Sequence, residues 1–211
     1  MSAERTTSFG QGYRPTVVDR FGVWLSGRAV RRHASFDGAR AADFGCGYDA
    51  SLSRTMLDRV SRLMLVDVAL APDLRREPRV EAIESTIEEA LPGIESDSLD
   101  LILCLSVLEH LWRPQGVLDE FARLLAPGGK LLVNVPSWRG KRFLELSAFR
   151  LGLSPRAEMD DHKRYYDPRD LWPMLVAAGF APSRIRCRRH KFGLNTFAAC
   201  QVAPSTEEGN R

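Results

Sequence analysis

Two aspartates and a pair of glycines carry the most informative chemistry of this sequence. In "AADFGCGYDA", residues 41 to 50, Asp43 stands two positions before Gly45-Cys46-Gly47, and the small residue Ala50 follows. Taken alone, Gly-x-Gly-x-x-Ala fits the turn that cradles a dinucleotide pyrophosphate. Such a turn offers backbone N–H groups and a helix N-terminus to an anion, and a carboxylate beside it would repel that anion. Asp43 suits a cation instead.

S-adenosylmethionine carries an ammonium and a sulfonium on its amino-acid end, so an acidic residue next to a tight glycine turn fits it. Gly45 and Gly47 allow positive φ and close approach of the backbone. Asp67 closes the apolar run "LMLVDV" and can accept both hydroxyls of a ribose, whichever nucleoside cofactor is bound. Either aspartate alone could be a turn or capping residue. Together, at this spacing, they point to an adenosine cofactor.

These residues need a scaffold that brings strand ends together. Apolar runs at 39–44, 62–68, 79–85, 99–105 and 129–135 read as parallel strands covered on both faces. Between them, "DASLSRTMLDRV" and "PQGVLDEFARLLA" show helical spacing, and "APGGK" at 126–130 is expected to stop the second helix and turn into the fifth strand. A helix is expected from Pro15 to Val30, and a last one over "PRDLWPMLVAAG". "SRIRCRRHKFGLNTFAACQV" reads as two strands around a turn at Phe192-Gly193. The fold class is α/β, a doubly wound, mostly parallel sheet ending in an antiparallel hairpin.

The chain of 211 residues reads as one domain. Residues 1–37 form an N-terminal helical cap, 38–135 the cofactor-binding half, 136–167 a lid or substrate-pocket insertion that is part helical around 141–151, 168–202 the last helix and hairpin, and 203–211 a disordered tail. A net charge of +3 from 30 basic and 27 acidic side chains demands neither a nucleic-acid nor a membrane partner. The four cysteines have no Cys-x-x-Cys spacing, and no apolar run approaches the ~20 residues that span a bilayer. A soluble, cytoplasmic protein is the expectation.

With these motifs in place, the sequence resembles the class I S-adenosylmethionine-dependent methyltransferases, in the small-molecule branch called type 11 or ubiquinone-biosynthesis-like. "ADFGCG" is similar to the family's first motif, "LVDV" to its second, and "LDLILCLSVLEHLWRPQGVLDEFARLLAPGGKLLVNVPS" to its fourth-strand, helix and fifth-strand block. The resemblance implies a Rossmann-like sheet of seven strands, the last antiparallel, and S-adenosylmethionine as cofactor. It assigns Asp43, Gly45, Cys46 and Gly47 to the methionine moiety, Asp67 and Val68 to the ribose, and Thr86 and Ile87 to adenine. Leu105 and Ser106 would line the methionine side. Thr86 departs from the acidic residue the family often has there.

The acceptor is read from what surrounds the fourth strand. The Asn/Asp-Pro-Pro-aromatic sequence of amino-base methylases is replaced by "LSVLEHL", which argues against a flipped base. Ser106 occupies the place of the first Glu of a Glu-x-x-Glu-His metal sequence, so no metal is expected. A hydroxyl acceptor needs alignment and removal of its proton. His110 and His162 are the candidate bases, and Arg164, Tyr165 and Tyr166 of "DDHKRYYDP" the candidate substrate contacts. The basic strand "RIRCRRHK" reads as a solvated face. Methyl transfer to a small or medium-sized acceptor, at oxygen, is the expected activity. An RNA-modifying enzyme, a non-catalytic partner subunit and, less favoured because of Asp43, a nicotinamide-dependent oxidoreductase are the alternatives.

Overall fold

In the computed structural model, the residues described are 7–12, 16–141 and 163–205. Seven strands form one sheet: β1 Arg40–Phe44, β2 Arg62–Asp67, β3 Val80–Glu84, β4 Leu99–Leu105, β5 Leu125–Pro136, β6 Ile185–His190 and β7 Asn195–Gln201. Their order is β3-β2-β1-β4-β5-β7-β6. The first five run parallel, and β7 inserts antiparallel between β5 and β6. The strand order reverses between β1 and β4, so a crevice opens at their carboxyl ends, where open α/β sheets bind ligands.

Among the described residues, four helices flank the sheet: α1 Val17–His33, α2 Ile87–Ala90, α3 Pro114–Leu124 and α4 Pro168–Ala177. On α3, Val117, Leu118, Phe121 and Leu124 are buried, a stripe at helical spacing that packs Phe121 4.7 Å from the Phe44 ring of β1. Arg123 leaves that stripe to donate to the carbonyls of Leu91 and Ile94, which pins the short connection before β4 to the helix. A capping box of Asp167 and Asp170 starts α4, with Pro168 in its first turn. On the other face, Ala29 and Val30 of α1 join Leu63, Leu65, Leu101, Leu103, Leu132 and Phe197 in a second core. Among the described residues, no helix is long and apolar enough to cross a membrane.

Two local readings are corrected. "DASLSRTMLDRV" forms only a 3-10 turn at Ser53–Met56, because its polar side chains bond locally instead of leaving the backbone to a regular helix. Thr55 Oγ1 donates to the Leu52 carbonyl, and Arg54 Nε to that of Asp49. The "APGGK" stretch is not a separate stop: β5 begins at Leu125, directly after α3, and its register against β4 shifts between Leu99 and Leu101. Gly129 allows this, since a Cβ there would stand 2.7 Å from the Ala126 carbonyl oxygen. The expected lid helix around 141–151 lies, from residue 142 on, outside the described residues, as does the end of the tail from 206.

Candidate cofactor and acceptor site

The glycine turn leaves β1 with Gly45 at φ +73° and Gly47 at φ +78°. Only glycine fits the first position: a Cβ on Gly45 would lie 2.3 Å from Val107 Cγ2. Val107 belongs to the segment after β4, so the lack of a side chain lets two strand ends close on each other. Ala50 itself adopts φ +42° and is fully buried, completing the bend.

Asp43 lies beneath this turn, 4% exposed, with Oδ2 accepting a 2.5 Å hydrogen bond from Ser53 Oγ. Burial pushes its carboxyl up to about 7; Ser53 opposes the rise and the nearby Asp67 adds to it. A buried acid in that state gains from any cation brought to the turn. Asp67, at the end of β2, bonds the turn itself: Oδ2 accepts from Gly47 N and Oδ1 from Val68 N, each at 2.8 Å. Each carboxylate oxygen keeps a second lone pair for a hydroxyl donor. The Cys46 thiol is pushed well up by burial and the two aspartates, which excludes it as a nucleophile.

Thr86 is the N-cap of α2. Its Oγ1 accepts from Glu89 N and donates to Glu89 Oε2 at 2.9 Å, so the hydroxyl expected to reach an adenine amino group already has partners. Ile87 is buried in the first turn of the same helix. Leu105 and Ser106 end β4; Ser106 is exposed, holds φ +61°, and donates its N–H to the Asn134 carbonyl at 2.7 Å. A non-glycine residue in that conformation stores strain that only surrounding contacts hold in place.

His110 ends the short turn after β4, half-buried, and its carbonyl accepts from Lys163 Nζ. Arg164 is exposed and donates to the Trp112 carbonyl, whereas the Tyr165 ring packs 5.7 Å from Trp138 at the start of the helical turn after β5. Tyr166 is 3% exposed and belongs to the core that packs α3 and α4, its hydroxyl directed to the Leu108 carbonyl. The sequence-derived set therefore divides. Asp43, the glycines, Asp67 and Ser106 gather at the crevice, Tyr166 faces the core, and His162 lies outside the described residues. Among those residues, no three His, Cys, Asp or Glu side chains form a metal-binding group.

Three contributors carried no signal in the sequence. Ser53 is one of several serines and was marked by nothing but its place after the turn. Val107 gains its role only through Gly45. Phe9, in the N-terminal segment, accepts from Tyr48 N at 2.9 Å and brings its carbonyl to 3.3 Å from where a Gly47 Cβ would stand, so that segment lies across the turn.

A reversed strand order with two carboxylates around a glycine turn fits a nucleoside cofactor that carries positive charge. A family described as "Methyltransferase domain" matches residues 42–133. The chain is 32% identical over 234 aligned positions to the ubiquinone biosynthesis O-methyltransferase of Xylella fastidiosa (strain M23), covering 92% of this chain and 94% of that protein. The protein of the same name from Xanthomonas oryzae pv. oryzae (strain PXO99A) is 34% identical over 105 residues, 46% of this chain but only 43% of the relative. Among solved structures, a SAM-dependent methyltransferase from Archaeoglobus fulgidus superposes with a TM-score of 0.62 at 15% identity, over 85% of this chain and 94% of that one. The [4+2]-cyclase SpnF superposes with a TM-score of 0.67 at 15% identity, over 96% and 88%. The chain belongs to the S-adenosylmethionine-dependent methyltransferase family. The cofactor of that family is S-adenosylmethionine, and the buried Asp43, the open turn and the spare lone pairs of Asp67 fit it.

Proposed function

We propose that the protein transfers the methyl group of S-adenosylmethionine to a hydroxyl oxygen of a small or medium-sized acceptor. The observation that carries the cofactor half is Asp43, a carboxyl buried under the glycine turn with Ser53 as partner, which favours a cation over a pyrophosphate. The oxygen half is supported by the relatives whose name is ubiquinone biosynthesis O-methyltransferase, including the one matched over nearly its whole length.

When bound, the cofactor supplies an electrophilic methyl whose carbon–sulfur bond breaks as the oxygen–carbon bond forms, leaving a neutral thioether. The chain's own residues bind and align. Asp43 and the turn hold the amino-acid end, and Asp67 accepts from the ribose hydroxyls. The main chain around Thr86 and Ile87 would border the base, and Leu105 and Ser106 would line the methionine side. His110 stands beyond Ser106 and takes the acceptor's proton. We read Tyr165 and Arg164 as lying at the rim of the acceptor pocket; most of the 136–167 insertion lies outside the described residues.

The test is transfer of labelled methyl to a panel of hydroxyl acceptors, alongside calorimetry with S-adenosylhomocysteine and NADH. Binding of the homocysteine nucleoside without binding of NADH is expected. NADH binding with no response to either methionine nucleoside would overturn the assignment.

A further inference from the structure

Buried polar side chains at the active edge of the sheet mostly have partners. Ser137 Oγ donates to the Gly193 carbonyl and accepts from Gly140 N, and Thr196 Oγ1 donates to the Tyr166 carbonyl. Asn134 breaks this pattern. It is completely buried, yet neither its Oδ1 nor its Nδ2 has a hydrogen-bond partner. A desolvated amide with both ends unpaired is a cost that a leucine, which branches at the same atom, would avoid, and such groups in folded proteins call for a ligand or an ordered water.

Its position indicates which. Asn134 lies near the carboxyl end of β5, paired with Leu105 of β4 on one side and Phe197 of β7 on the other. Its carbonyl holds the N–H of strained Ser106. The amide is therefore one strand beyond the residues assigned to the methionine side, away from the glycine turn. Side chains two apart on a strand share a face, so Asn134 lies on the same face as Leu132, the face covered by α1.

A second polar group without a partner shares that face. His190 Nε2 is buried and unpaired, and the His190 ring packs 5.6 Å from that of Phe197, the cross-strand neighbour of Asn134. Burial, together with Lys191 and Arg188, keeps His190 below its ordinary value, so it is a neutral acceptor at neutral pH. The turn at Lys191–Gly193 follows directly, and Lys191 Nζ reaches α1, 3.7 Å from where a Gly22 Cβ would stand. An amide and an imidazole nitrogen thus flank one aromatic ring on the α1 face of the sheet, near the carboxyl end of β5.

We propose that the side-chain amide of Asn134 binds the acceptor, Nδ2 donating to the oxygen that receives the methyl and Oδ1 accepting from a neighbouring polar hydrogen of the same molecule. The assignment rests on the oxygen-acceptor reading above. The oxygen keeps a lone pair for the methyl while the amide fixes its direction, and His190 meets a second donor on the acceptor across Phe197.

The test uses the full chain with Asn134→Leu and Asn134→Ser. Labelled methyl transfer to phenol, catechol and methyl glucoside is measured with S-adenosylhomocysteine affinity and the thermal midpoint. For Asn134→Leu, the nucleoside affinity should stay within about twofold and the midpoint should hold or rise, since an unpaired polar group is removed. Its kcat/KM for the acceptor should fall at least tenfold, with partial recovery in Asn134→Ser. Wild-type turnover in Asn134→Leu would overturn the proposal, as would turnover, nucleoside affinity and midpoint all falling together. Wild-type protein that binds the nucleoside but methylates none of the three probes would instead overturn the oxygen-acceptor reading, and this inference with it.

Discussion

Asp43 sits in a chemical state that ordinary surface carboxylates do not share, and the consequence is a pH dependence of definite sign. Its carboxyl is raised from 3.8 to about 7, so between those values the folded protein holds a proton that the unfolded chain has released. That contribution to stability is fully present below about pH 4 and is lost as pH rises through about 7. His33 and His190, both pushed down, act in the opposite direction near pH 6.5, so the Asp43 share is read against Asp43→Asn. Denaturant midpoints from pH 5 to 8 should fall more steeply, or rise less, in the wild type than in the variant. A bound cation favours the ionised acid. S-adenosylmethionine binding should therefore release a proton near pH 7 and tighten as pH rises, which calorimetry in buffers of different ionisation enthalpy can measure. At the neighbouring carboxylate, Asp67→Ala should weaken the cofactor by ~1.5–3 kcal/mol, the scale of hydrogen bonds to a charged group, or ~10–150-fold in Kd. Unchanged affinity would remove Asp67 from the site.

Elements built from a local pattern were legible in the sequence, and those decided by distant contacts were not. β1, β2 and β4 were visible because they are apolar on both faces, and β4 falls at Leu99–Leu105 as read. The segment after the glycine turn carried helical spacing, but Ser53 and Thr55 bond Asp43 and the Leu52 carbonyl instead of lying free on a helix surface. The proposed site follows the same division: Asp43, Gly45, Gly47 and Asp67 stand out by type and spacing, whereas the contacts of Ser53 and Val107 with the turn, and the burial of Asn134, depend on segments distant from it. Gly45 tests that closure. Gly45→Ala combines a left-handed backbone with an overlap on Val107, and should destabilise by ~2–5 kcal/mol. Adding Val107→Ala should return the steric part but not the backbone part, a non-additivity read from a double-mutant cycle in denaturant.

At the scale of the whole molecule, segments far apart in sequence meet at the carboxyl ends of the strands. The N-terminal segment reaches the glycine turn through the Tyr48–Phe9 bond, and the hairpin between β6 and β7 reaches the same edge through Ser137 and Gly193. Removing residues 1–12 should loosen the turn and weaken S-adenosylhomocysteine binding by ~1–2 kcal/mol, ~5–30-fold, on the scale of one or two hydrogen bonds. The sheet itself should survive, as far-ultraviolet circular dichroism would report.

The placement of β7 has a bearing on biosynthesis. It is the last strand in sequence, yet it lies between β5 and β6. Until Ile185–Gln201 have been made and have docked, β5 is an open edge of the parallel half of the sheet, a template for pairing with another chain. A polypeptide lacking β7 would hold the glycine turn before its sheet was complete. The last strand made is thus the one that covers the apolar edge of β5, and it leaves the basic β6 as the outer strand in its place.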